Sequence, residues 1–142
     1  MSDAETTLVI DRVFNASPER VFAAWTDTAQ IVQWYGPETM RTEVLSNDLS
    51  PGGRYEMVMR STQGEEHHLS GAYEEIDPPN KLVMTWKWKA SENTTRVMIE
   101  LRPEGDNTHL RLTHTGFVDG DDRNNHNGGW SSSLNDLERH FA

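Results

Sequence analysis

Histidines stand at positions 67, 68, 109, 114, 126 and 140 of this 142-residue chain, which has no cysteine. They are the side chains best able to hold a metal or move a proton near neutral pH. His67 and His68 adjoin in a stretch that reads as strand, so they point to opposite faces and cannot both reach one ion. Neither an HExxH pattern nor a thiolate ligand set occurs, and no metal or other cofactor is expected. A hydrolytic triad fares no better, because no G-x-S-x-G elbow exists and Ser131-Ser132-Ser133 lies on a helix flank with no obligatory partner. Pro51-Gly52-Gly53-Arg54 follows a polar turn instead of opening a helix, which makes it a tight turn and not a phosphate cradle.

The arrangement that could do something is spatial. His126 lies one helical turn before Trp130 on the same stripe, and His114 shares a strand face with Leu110 and Leu112. Tyr55, Met57 and Met59 alternate along one strand, and Met84, Trp86 and Trp88 along another. Any one of these side chains could simply fill the core, with each His satisfied by a backbone carbonyl. As a set, bulky flexible and aromatic groups around a few polar ones are what line a small-molecule cavity.

Those residues need elements to carry them. Thr6 to Phe14 is rich in β-branched and apolar residues and predicts a first strand. Ser17-Pro18-Glu19 opens a helix as cap, first-turn proline and first-turn acid, with Val21, Phe22, Ala24 and Trp25 inward. A second short helix follows over Thr28 to Trp34 and ends at Tyr35-Gly36-Pro37. From Thr39 to Thr115 the period becomes two. Strands are predicted at Met40–Leu45, Arg54–Ser61, His67–Ile76, Lys81–Lys89, Arg96–Leu101 and Thr108–Thr115, joined by turn chemistry such as Asp77-Pro78-Pro79-Asn80. The last seventeen residues, His126 to Ala142, put Trp130, Leu134, Leu137 and Phe141 on one helical stripe. The polar run Asp119 to Asn127 reads either as the approach to that helix or as its first turns. The order β-α-α-β-β-β-β-β-β-α predicts an α+β fold in which an antiparallel sheet curls and covers its apolar face with the terminal helix.

Composition bounds the rest. One domain over residues 1–142 is expected, and no run reaches the length of a membrane span. The acidic start Met1-Ser2-Asp3-Ala4-Glu5 is unlike a signal peptide, and the lack of cysteine suits a cytoplasmic location. Thirteen basic residues against 23 acidic ones give a formal charge of −10. That balance argues against nucleic acid and anionic membranes as partners, for want of a basic surface.

Ser17 through Thr26, Trp34-Tyr35-Gly36-Pro37, Pro51 through Tyr55, Gly71 through Pro79, Lys81 through Trp86, Leu112 through Phe117, and His126 with Gly129-Trp130, Leu134 and Leu137 together resemble one family. It is that of the bacterial homologues of the activator of heat-shock-protein ATPase, within the START-like (SRPBCC, birch-pollen-allergen-like) helix-grip superfamily. The resemblance implies a curved sheet gripping a long C-terminal helix, with an apolar cavity between. Candidate cavity residues are then Trp34, Tyr55, Met57, Met59, Tyr73, Met84, Trp86, Trp88, His114, Phe117, His126, Trp130 and Leu134. Asn124-Asn125-His126-Asn127-Gly128-Gly129 departs from the family by its poverty in helix formers, each Gly costing about 1 kcal/mol against Ala. A loose helix start serving as the cavity entrance is expected there. Three functions stay open: binding of a small hydrophobic or aromatic molecule, including lipid, by a monomer or homodimer; a co-chaperone-like or stress-related module using exposed tryptophans on a protein partner; and a cyclase or aromatase with a pocket His helped by Tyr73 or Glu75.

Overall fold

A computed structural model of the chain describes residues 6–35 and 40–141. The Gly36-Pro37 helix stop, Thr39, the acidic residues 1–5 and Ala142 lie outside the described residues. Strand β1 spans Thr7–Phe14, α1 Pro18–Thr26 and α2 Thr28–Trp34. Then come β2 (Met40–Asn47), β3 (Arg54–Ser61), β4 (Glu66–Asp77), β5 (Lys81–Trp88), β6 (Thr95–Glu104), β7 (Asn107–Thr115) and α3 (Gly120–His140). All strand pairs are antiparallel, in the order β1-β7-β6-β5-β4-β3-β2. The predicted order of elements and the α+β helix-grip arrangement are those observed.

Local chemistry sets the ends of these elements. Ser17 caps α1 by accepting from the Arg20 N–H at 3.4 Å, with Pro18 at the first position where a missing donor costs nothing. Asp27 ends α1 and starts α2, its Oδ1 accepting from the Ala29 N–H. Asn47 then fastens that corner to the sheet. Its Nδ2 donates to the Thr26 carbonyl at 3.1 Å, and its Oδ1 accepts from the Tyr73 hydroxyl at 2.6 Å.

The sheet bends where β4 crosses β5. Register shifts between Tyr73 and Glu75, and Ala72 N–H donates to the Thr85 side chain instead of a ladder carbonyl. Gly71 is required at this bend, because a Cβ there would collide with the Thr85 carbonyl oxygen. The alternating inner positions of the strands meet the stripe of α3 in one core. Val97, Ile99, Leu110, Leu112, Leu134 and Leu137 are among its buried members, and Phe14 meets Phe141 edge-on at 6.0 Å between ring centroids.

One expectation is corrected in extent. The terminal helix starts at Gly120, six residues before His126, and runs unbroken through Gly128-Gly129. Asp119 caps it by accepting from the Asp122 N–H at 2.8 Å, with acids at 121 and 122 in the first turn and Arg139 and His140 in the last. A cap and a matched dipole offset the weak propensity of the Asn/Gly run. No described helix is long and apolar enough to cross a membrane.

Candidate functional site

Helix α3 does not lie flat on the sheet along its whole length. Its second half packs into the core described above, while its first half stands off and leaves a cavity of about 710 Å³. Asn125, His126, Gly129, Trp130 and Ser133 form the helix side. Met59 of β3, His67 of β4, and Trp86 and Trp88 of β5 form the sheet side, and Tyr35 and Met40 close the flank. Glu66, His68, Lys89 and Ala90 complete the lining. The volume falls in the range usual for small-molecule sites, and the wall is mostly aromatic rings and thioethers.

Of the residues expected on the wall, the structure brings Met59, Trp86, Trp88, His126 and Trp130 together there. The others pack beneath or beside it. Tyr55, Met57, Tyr73 and Met84 share the inner sheet face but belong to the solid core, as do Trp34 and Leu134. Trp34 is turned to donate its Nε1–H to the Ala24 carbonyl at 2.9 Å and meets Trp25 edge-on at 4.7 Å. Tyr73 and Tyr55 spend their hydroxyls on Asn47 and on the Thr85 carbonyl, and burial pushes the Tyr73 phenol up to about 12 and the Tyr55 phenol higher still. Phe117 wedges between His114 and His126, with ring centroids 4.4 Å and 4.8 Å away. Tyr35, Met40, Glu66, His67, His68, Lys89, Ala90, Asn125, Gly129 and Ser133 are the wall residues that sequence reasoning missed. Tyr35 and Gly129 carried a signal, lying within the family-like segments Trp34-Tyr35-Gly36-Pro37 and Gly129-Trp130.

His114 lies directly behind the wall, fully buried, in a chain of hydrogen bonds with one consistent proton assignment. Trp130 Nε1–H can only donate, and it donates to His114 Nδ1 at 3.0 Å. The proton of the neutral ring therefore sits on Nε2, 2.6 Å from the Thr95 hydroxyl. That hydroxyl in turn donates to the Trp86 carbonyl at 3.1 Å. Burial, with a smaller contribution from the nearby His126, lowers the His114 pKa from 6.5 to about 3. Both ring nitrogens are occupied and the ring is held neutral, so His114 ties the helix to the sheet and has no free lone pair for a substrate proton.

His126 makes a second tie at the mouth. Trp88 Nε1–H donates to its Nε2 at 3.0 Å, which leaves Nδ1–H to donate to the Asp122 carbonyl at 2.8 Å. The Trp88–His126 bond joins the end of β5 to the Asn/Gly-rich half of α3, the part of the helix with least support of its own. Glu75, the other expected helper for proton transfer, faces away from the cavity beside Lys81 Nζ at 3.5 Å. Trp25, Trp34, Trp86 and Trp130 are buried and Trp88 is half-buried, which corrects the expectation of tryptophans exposed to a protein partner. They are drawn inward because together they build the aromatic wall and its backing.

Two wall residues carry unmet polar atoms. Tyr35 Oη and Trp86 Nε1 are buried with no hydrogen-bond partner, and desolvation drives the Tyr35 phenol well above its ordinary pKa, so it stays neutral. Each such atom costs on the order of 1–3 kcal/mol. Among the described residues, no group of three or more His, Asp or Glu side chains converges as it would around a metal ion.

The family described as Activator of Hsp90 ATPase homolog 1-like protein matches residues 15–142. A crystal structure of a protein from Chromobacterium violaceum is 28% identical, covers 96% of both chains and superposes with a TM-score of 0.91. The crystal structure of the AHSA1 protein from Silicibacter pomeroyi is 30% identical over 94% of this chain and 96% of its own, at a TM-score of 0.84. No curated protein matches this chain by sequence.

Proposed function

We propose, starting from the fact that this chain belongs to the Activator of Hsp90 ATPase homolog 1-like family, that it binds a small hydrophobic or aromatic molecule in the cavity between α3 and the sheet. The fold is one known for ligand binding. The observation that carries the reading for this chain is the cavity itself: about 710 Å³ walled by Trp86, Trp88, Trp130, Tyr35, Met40 and Met59, beside a continuous buried core. A void of that size lined by aromatic rings forgoes dispersion contacts that a ligand would restore. Three tryptophans on the wall also supply the readout.

The test is a titration with N-phenyl-1-naphthylamine, a neutral aromatic probe, followed by tryptophan quenching and by probe emission. Saturable binding is expected in the wild type. Ser133→Phe fills the helix side of the cavity and Ala90→Trp fills its rim, and each should weaken binding at least tenfold while leaving the far-ultraviolet spectrum intact. An absence of saturable binding, or full binding by both folded variants, would remove the proposal. The cyclase reading finds no such support, since His114 is fully engaged and Glu75 lies on the other face.

A further inference from the structure

The cavity is apolar within, but its mouth is not, and the two lips differ from the wall in one specific way. Lys89, just past the end of β5, lines one side, and Asn125 of α3 lines the other. Lys89 is fixed in place through its backbone, whose N–H donates to the His68 carbonyl at 2.8 Å. Its ammonium makes no ion pair with any described residue, and the Asn125 amide makes no hydrogen bond with one. The other charged group at the mouth is Glu66, which meets Arg60 Nε at 2.7 Å and shares that guanidinium with Glu43 at 2.5 Å. His67 and His68 each stand near a glutamate of their own, Glu65 at 3.6 Å and Glu66 at 3.7 Å. The His126 and Trp88 ring nitrogens are spent on each other and on the Asp122 carbonyl.

On a chain with a formal charge of −10, an uncompensated cation at the mouth of an apolar cavity is the local exception. Building on the ligand-binding reading above, we infer that the ligand is amphiphilic, an apolar or aromatic body bearing one carboxylate that rests between Lys89 and Asn125. One ammonium and one amide N–H₂ match a monoanion. A dianion would be opposed by the acidic surface, with nothing further at the mouth to offset it.

The experiment pairs each acid with its uncharged alcohol: decanoate with 1-decanol, and 2-naphthoate with 2-naphthylmethanol, by calorimetry at low ionic strength. The acid of at least one pair should bind roughly fivefold more tightly than its alcohol, the size of one solvent-exposed ion pair at a binding site. Added salt should shrink that preference. Lys89→Met should bring the acid down to the level of the alcohol. Lys81→Met, a control whose ammonium faces Glu75 away from the cavity, should keep the preference. Equal binding of acid and alcohol by the wild type, or a preference that survives Lys89→Met, overturns the head-group assignment and leaves cavity binding standing. Failure of all four molecules to bind sinks both.

Discussion

Acidification tests the buried clamp most directly, because one residue governs a pH window that the carboxylates do not reach. In the unfolded chain His114 takes up a proton near 6.5, whereas in the folded protein burial delays protonation to about 3. Between these values the unfolded state binds more protons, so the sign is fixed. The contribution is whole above about pH 6.5 and is lost progressively as pH falls toward the folded value. From about pH 7.5 to about pH 5 this single group should remove roughly 2 kcal/mol of stability. Asp11, Glu66 and Glu74 are held below the ordinary carboxylate range by Arg111, Arg60 and Arg96 respectively, so their stabilisation is lost only at still lower pH. The assay is urea unfolding at the two pH values for wild type and His114→Gln. The remaining histidines are common to both proteins and cancel in the difference. The wild type should lose about 2 kcal/mol more than the variant, and nitrogen-15 spectra should show His114 as the Nε2–H tautomer throughout. Parallel pH profiles, or a proton on Nδ1, would refute the clamp and reopen His114 as a group free for proton transfer.

Two substitutions probe the elements that shape the cavity. Gly128 lies in the middle of α3 with open space where a Cβ would go, so Gly128→Ala should stabilise the protein by roughly 0.5–1 kcal/mol and raise Tm by about 2–4 °C. A lower Tm in calorimetry would mean that this stretch is not helical in solution. Gly71→Ala should act oppositely, costing on the order of 2–3 kcal/mol, because the added methyl displaces the Thr85 carbonyl, which also accepts the 2.5 Å hydrogen bond from Tyr55 Oη. An unchanged urea midpoint would show that the bend between β4 and β5 can relax without it.

The fold was largely legible in the chain, for a physical reason: alternation fixes which face of a strand looks inward. Tyr55, Met57 and Met59 were placed on one face, and all three are inward. Alternation is silent about position along that face, and position is what separates wall from core here. Met59 meets the void because it lies toward the end of β3, opposite His67 and Thr42, where the helix stands off. Met57, one step back, pairs across to Leu69 and Val44 and is packed. The same limit hid Lys89, Ala90 and Asn125, whose residue types are ordinary for a turn and a helix flank and acquire meaning only from the opening between them.

The terminal helix shows the complementary failure. Local propensity read Asn124 through Gly129 as loose, yet the helix is continuous, because a cap at Asp119 and two indole–imidazole bonds act on it from outside the segment. Those bonds differ in one respect that bears on function. The His114–Trp130 tie is sealed in the core, whereas the His126–Trp88 tie spans the mouth. Besides this tie, the Asn/Gly half of α3 is fastened by its cap, by the Phe117 ring against His126 and by Trp130. Three of the weak helix formers, Asn125, His126 and Gly129, are also cavity wall. The half of α3 that must stand off the sheet to leave room for a ligand depends on tertiary contacts for its order, while the half beyond Leu134 is held by the core.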